Sequence, residues 1–581
     1  LDWMALHGIN LCLDIVGTDV VWRNVLLKLG YSKDEANQFI AGPAFQAWWL
    51  MNNLEGWGGP NSDNWYLQRE RLQKQIMKRM KELGINACLP GYSGMVPHDA
   101  KQRLGLNVAD PGKWNDYKRP AFLLPTDKRF AEIAAIYYKE MQKLYGKALY
   151  YSMDPFHEGG NARGVDLGKA GEAIMSAMKA ANPKAVWVAQ AWGACPYPAM
   201  IKHLKNGDML VLDLYSETRP QWGDPESTWL RKEGFNGHDW AFCMLLNFGS
   251  NVGLYGKLQH VVDEYYKARQ SKFASTLKGV GLTMEGIENN PVMYELVSEL
   301  PWRNNKFGWQ EWLNNYVEAR YGNINNTKVH DAWMLLARSV YGASDKVLEQ
   351  GCHESVLCAR PALDVYQVSS WSEMEEFYNP DDVIRAAQLM VEASHEVKAN
   401  ANFRYDLVDI TRQAIAEKAR YVYAEIVAAY RAKDRKMFDY TTKRFLDIIL
   451  QKDRILSSIP DFMVGTWIRS ARNLGTNTQE SNHYEWNARV QITTWGNRDA
   501  AEKGGLREYA HKEWNGVLAD FYYPRWKVYF EALADTFDGK PMKNIDFYAM
   551  DEAWTLKHNV YPYEAQGDAV EFAQKAVAEV L

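Results

Sequence analysis

Short apolar runs punctuate the first 375 residues of the chain, at 9–13, 85–89, 149–153, 185–189, 209–213, 240–246 and 280–283, with longer stretches of helical spacing between them. Such runs, with little internal alternation, read as strands buried on both faces, as a parallel sheet requires. Segment 65–83 is one of the intervening helices, and its final Leu83-Gly84 is a sensible stop before the next strand. Repeated strand and helix units imply a β/α barrel or an open doubly wound sheet. Polar or aromatic groups follow nearly every run, among them Asp14, Tyr92, Asp154 through Glu158, Gln190, Trp192, Tyr215, Glu217, Asn247, Asn251 and Glu285. This favours a (β/α)8-type barrel, whose functional groups come from several C-terminal strand ends at once. Seven runs leave one strand to find. The simplest expectation is that the first strand is missing with upstream sequence, because the chain opens on Leu1-Asp2-Trp3-Met4 without an initiator or signal segment. The alternative places the eighth strand at 365–368.

From about Asp381 the pattern turns almost purely helical, with apolar residues at three-and-four spacing over 383–397, 407–430, 435–456, 462–473, 526–537 and 551–581. The expected organisation is therefore an N-terminally truncated catalytic barrel over 1–375 followed by an all-α domain over 376–581.

Composition narrows the function. The 581 residues carry a formal charge of -5 and no dense Lys/Arg block, which argues against a nucleic-acid partner. No apolar run reaches the length of a membrane-spanning helix. The six cysteines are dispersed, only Cys352 and Cys358 lying close enough in sequence to suggest a pair, and neither C-x-x-C nor H-E-x-x-H occurs. Neither a phosphate-binding glycine loop nor a G-x-S-x-G turn is present, so nucleotide binding and serine hydrolysis are both disfavoured.

Carboxylates remain as the candidate chemistry. Glu158 ends Asp154-Pro-Phe-His-Glu158 just past a strand, and its neighbours Phe156 and His157 offer desolvation and a proton-sharing partner. Glu285 follows another strand over a hundred residues later, with Glu288 close behind as an alternative. A pair of acids flanking one bond is what glycoside hydrolysis uses, without metal or cofactor. The 23 Trp and 33 Tyr suit a sugar-binding cleft and equally a large aromatic core. Asn52, Trp57, Trp192, Tyr215, Trp240, Asn247, Asn251 and Glu288 form the candidate substrate-binding set, with Trp222 a further stacking candidate. Asp14, Asp19, Glu55, Asp154, Asp213 and Glu217 are individually more consistent with structural roles.

Several blocks together, Trp3-Met-Ala-Leu-His-Gly-Ile-Asn10, Gly42-Pro-Ala-Phe45, Leu149 through Glu158, Cys243 through Asn251, Met284-Glu-Gly-Ile287 and Phe403-Arg-Tyr-Asp-Leu407, make the chain resemble glycoside hydrolase family 89, the α-N-acetylglucosaminidases. The resemblance implies a small upstream α/β domain, a barrel and a helical C-terminal domain. It also implies Glu158 as acid/base and Glu285, rather than Glu288, as nucleophile. The implied reaction is retaining exo-hydrolysis of glycans ending in α-linked N-acetylglucosamine. His157 and Met284 stand where the human-like pattern has Asn and Pro, which leaves the reaction in place and substrate preference open. An extracytoplasmic location is implied, periplasmic or secreted in a bacterium and lysosomal in a eukaryote. Sequons are scarce, Asn325-Asn326-Thr327 being one of few, which favours the bacterial case.

Overall fold

The computed structural model describes residues 1–229, 231–246, 248–286, 289–322, 324–344, 354–371 and 376–581. Candidates Asn247 and Glu288, and Cys352 of the suggested cysteine pair, lie outside the described residues.

All seven apolar runs are strands of one sheet: β1 (Leu11–Leu13), β2 (Asn86–Pro90), β3 (Tyr150–Ser152), β4 (Val186–Ala191), β5 (Met209–Asp213), β6 (Asp239–Met244) and β7 (Leu277–Leu282). They pair in chain order and every pairing is parallel. Helices between them, including α1 (Asp63–Glu82), α2 (Arg129–Tyr145), α3 (Leu167–Ala181) and α4 (Leu258–Gln270), give the β/α alternation of a barrel. Ser62 and Asp166 cap α1 and α3 through their side-chain oxygens.

The sheet curls into a half-barrel. No eighth strand pairs with the outer edge of β1 or β7 among the described residues. Residues 365–368, the alternative eighth strand, form no strand; the Val365 amide donates to the Tyr423 hydroxyl instead. The strands differ in what they bury among the described residues. In β5 Met209, Val211 and Asp213 are buried, whereas Leu210 and Leu212 are half-exposed and line an interior cavity. β7 has no fully buried residue at all. Among the described residues a cavity of about 1840 Å³ runs from Asn86 and Lys278 at the base of the sheet to the strand ends.

The helical domain is organised around Ala401–Arg431, α6 in a series with α5 (Pro380–Val397) and α7 (Arg435–Leu456). Asn379, Asn400 and Asp434 cap the three, so each helix starts where a side chain satisfies its free amides. Every residue from Asp406 through Glu417 of α6 is buried, the signature of a central helix rather than an amphipathic one. Its charged side chains include two paired sets, Asp406 with Arg320 and Tyr321, and Arg412 with both Asp409 and Glu513. No helix among the described residues is long and apolar enough to cross a membrane.

Candidate active site

The cavity brings the two leading acids together. Glu158 from the loop after β3 and Glu285 from the loop after β7 both line it, and the charge of Glu158 is felt at Glu285. Their surroundings differ.

Glu158 sits in a left-handed backbone conformation at φ 47°, uncommon for a residue with a side chain. The Arg119 guanidinium holds that turn, donating to the Glu158 carbonyl at 2.7 Å. Arg119 is itself 1% exposed and also donates to the Asn53 side chain at 2.9 Å and to the Asn52 carbonyl at 3.3 Å. Asn53 in turn donates from Nδ2 to Glu158 Oε2 at 2.7 Å. Burial pushes the Glu158 pKa up, and hydrogen bonds from Trp114 and Asn53 and the Arg119 charge oppose the rise without cancelling it. A raised carboxyl pKa suits a group that must start protonated.

Glu285 is open to the cavity, yet the protein around it is dense enough that desolvation raises its pKa as well. Two donors meet on one oxygen: the Gly249 amide and the Tyr509 hydroxyl both reach Oε2 at 2.6 Å. These donors, with the Lys512 charge, favour the ionised form that a nucleophile needs, while Glu158 opposes it. Two nearby carboxyls resist ionising together, and the Glu158 charge accordingly pushes the Glu285 pKa up.

Gly249 explains how close the helical domain comes. It adopts φ 59°, and a Cβ there would overlap the Tyr509 carbonyl oxygen. Lys512 donates to the carbonyls of Gly249 and Ser250, Arg412 to that of Val252, and the Leu254 amide donates to Gln413 at 3.1 Å. Two parts of the helical domain therefore grip the loop after β6, whose Gly249 amide holds Glu285.

Of the remaining candidates, Trp192 lines the cavity. Tyr215 is 3% exposed and stacks behind it, ring centroids 6.0 Å apart. The others are placed elsewhere. Trp240 is a core residue, stacked on Trp222, with its indole donating to the Phe273 carbonyl. Trp57 donates to the Trp495 carbonyl and packs on Phe45 and Trp486, because its glycine-rich loop turns toward the helical domain. Asn251 is buried, and its carbonyl accepts from Asn289. Asn52 is buried at φ 61° beside Arg119, while its neighbour Asn53 makes the contact to Glu158. His157 lines the cavity, but neither ring nitrogen has a hydrogen-bond partner among the described residues, and its pKa is pushed down to about 4 by burial and by Arg119. Burial and Arg119 thus favour the neutral ring, and no hydrogen bond links it to Glu158 among the described residues.

The other strand-end acids are frame residues. Asp154 accepts from the Gln190 amide at 2.6 Å, Asp213 from those of Gln221 and Trp222, and Glu217 from that of Leu245. Asp14 and Asp19 accept from Gln73 and Trp65, and Glu55 from the His98 amide.

Asn53, Trp114, Arg119, Phe248 and Tyr509 complete the site and were not singled out from sequence. Trp114 had a local signal: Asn115 and Asp116 follow it at φ 42° and 72°, the two-residue turn that closes a tight hairpin. Arg119 and Tyr509 had none, since each acts on partners distant in the chain.

A parallel half-barrel that delivers two carboxylates from different strand ends into one aromatic-lined cavity defines the carboxylate-pair class of glycoside hydrolases. Residues 1–304 match the α-N-acetylglucosaminidase (NAGLU) tim-barrel domain, and residues 312–579 match the NAGLU C-terminal domain. The chain belongs to this α-N-acetylglucosaminidase family. It is 33% identical to human α-N-acetylglucosaminidase over 599 residues, covering 99% of this chain and 78% of the human one. A family 89 glycoside hydrolase from Clostridium perfringens, solved with PUGNAc, superposes with a TM-score of 0.94 at 33% identity, covering 100% of this chain and 66% of that one. The same enzyme carrying two Glu-to-Gln substitutions, solved with its substrate GlcNAc-α-1,4-galactose, matches with a TM-score of 0.94 at 32% identity over 99% of this chain and 66% of that one. The chain thus spans about two thirds of the bacterial enzyme's length.

Proposed function

We propose that this chain is a retaining exo-glycosidase that releases terminal α-linked N-acetylglucosamine from glycans. The observation that carries the reading is that Glu158 and Glu285, from strand ends far apart in the chain, line one cavity. In the first step Glu285 Oε1 attacks the anomeric carbon, the C1–O bond breaks, and the Glu158 proton passes to the departing oxygen. In the second step Glu158 takes a proton from water, the water oxygen bonds to C1, and Glu285 leaves as a carboxylate. The acetamido group of an α-linked substrate lies on the same side of the ring as the leaving group, so it obstructs its own in-line attack and the enzyme carboxylate is the better nucleophile. Glycan degradation outside the cytoplasm of a bacterium, in the periplasm or as a secreted protein, is the setting we infer from the family resemblance and the scarcity of sequons.

Release of a chromogenic leaving group from a terminal α-N-acetylglucosaminide tests the reading. Rapid NMR should show α-N-acetylglucosamine forming first and the β form only as it equilibrates. Immediate β product rejects retention, and binding without turnover identifies a noncatalytic carbohydrate-binding protein.

A further inference from the structure

We propose that Tyr509, supplied by the helical domain, is a positioning residue for the nucleophile: together with the Gly249 amide it ties down Oε2 of Glu285 and leaves Oε1 as the attacking oxygen. The proposal rests on the reading of Glu285 given above and adds a residue whose distance in the chain, 224 positions from Glu285, hides its part. Both donors lie 2.6 Å from Oε2, and no hydrogen bond reaches Oε1 among the described residues. A carboxylate with one oxygen doubly bound cannot rotate freely, so its other oxygen keeps one direction into the cavity. Charge-assisted bonds of this length are among the stronger ones available to a side chain.

Tyr509 is itself held on both sides. Its neighbour Glu508 is 1% exposed, pairs with Arg525 and accepts from the Tyr522 hydroxyl at 3.2 Å. Three residues on, Lys512 donates to the carbonyls of Gly249 and Ser250. The phenol is therefore anchored to the domain behind it and, through that lysine, to the loop carrying the second donor. In the covalent intermediate Oε2 becomes the ester carbonyl oxygen. When water bonds to C1 and the C1–Oε1 bond breaks, the charge returns to Glu285, and Tyr509 stabilises it as the leaving carboxylate. The phenol thus acts on both steps through Glu285.

Because the phenol favours ionised Glu285, Y509F should make that acid harder to ionise. The acidic limb of the kcat/KM profile should move to higher pH by about one unit. The activity at its optimum should fall about ten- to hundredfold, mainly in kcat, as expected for losing one hydrogen bond to a charged group. Site-specific 3,5-difluorotyrosine at position 509, a stronger donor of nearly the same shape, should move the same limb to lower pH, so the two replacements bracket the wild type. An acidic limb unmoved by both overturns the proposal, as does a shift of the same sign for both. Should Y509F fail to fold, the fluorinated protein alone decides by the same limb. Wild-type protein without turnover, or E285Q with full turnover, would remove the functional reading instead, so the two failures are distinguishable.

Discussion

Glu158 takes its hydrogen bonds from the barrel's own loops, whereas Glu285 takes one from the glycine of a loop gripped by the helical domain and another from Tyr509 within that domain. Asn53 and Arg119 belong to segments that precede and follow β2 and bond Glu158 directly, while the neighbouring Trp114 packs on Trp495 of the helical domain. The loop around Gly249 depends on Arg412, Gln413 and Lys512 for its position. The hydrogen bonds on the acid side thus come from barrel residues, with the helical domain packed behind them. The nucleophile side is completed only when the helical domain docks, which gives that domain a chemical reason to be there beyond stability.

The largest effect should come from removing the nucleophile. E285Q keeps the shape and a hydrogen-bonding oxygen but cannot form the glycosyl ester, and turnover should drop about 10⁴-fold or more for every substrate, whatever its leaving group. E158Q should behave differently. Loss of the proton donor costs about 10²- to 10⁴-fold when the leaving group is a sugar hydroxyl, and much less in the first step when it is an acidic phenol that departs unaided. Comparing disaccharide with aryl glycoside hydrolysis for both variants checks this. Equal losses on both substrates for E158Q would contradict its assignment as the acid.

Much of this was legible in the sequence. The seven strands appear at the runs that predicted them, and both acids sit at the expected strand ends, because continuous apolar runs and the polar residues that stop them are local signals. The open seam was not settled by pattern: Val365-Tyr-Gln-Val368 has strand composition, yet the Val365 amide is taken by Tyr423 and no neighbouring strand offers a ladder. Asn52 and Asn53 are the same residue type side by side, and only the fold decides which reaches Glu158. Trp57 and Trp240 have the residue type of a sugar platform but face Trp495 and Trp222 instead, since an aromatic ring fills a core as readily as a cleft. Thr478–Gln491 gives no helical signal in the sequence because, with only Tyr484, Glu485 and Asn487–Val490 buried, it lacks a clean apolar stripe.

A milder change should separate the two shells by pH. Asn53 donates to Glu158 Oε2 and so favours its ionised form. N53A should therefore raise the Glu158 pKa, and the basic limb of kcat/KM, which reports loss of the acid's proton, should move to higher pH. Activity at the optimum should fall about tenfold, as expected for one lost hydrogen bond to a charged group. The acidic limb should stay in place, the reverse of the pattern expected for Tyr509. Movement of the acidic limb in N53A would mean that the two shells are not independent.

The smallest effect concerns acids at the same strand ends that do not face the cavity. Asp154 is 5% exposed and its pKa is pushed up to about 7, chiefly by burial, with hydrogen bonds from Gln190 opposing the rise. A folded-state pKa above the unfolded value near 3.9 means that the protonated form favours folding. Its stabilisation is fully present below about pH 4 and is lost as pH rises through 7. Asp213 and Glu55, also pushed up to about 7, act in the same direction. Wild-type thermal stability should consequently decline between about pH 4 and pH 7, and D154N, which removes one titrating group while leaving an oxygen for the Gln190 amide, should shrink that decline by about 1–2 °C. A decline that is unchanged in D154N would show that Asp154 stays ionised in the fold, and the contrast between frame acids and the cavity pair would then rest on their hydrogen-bond partners alone.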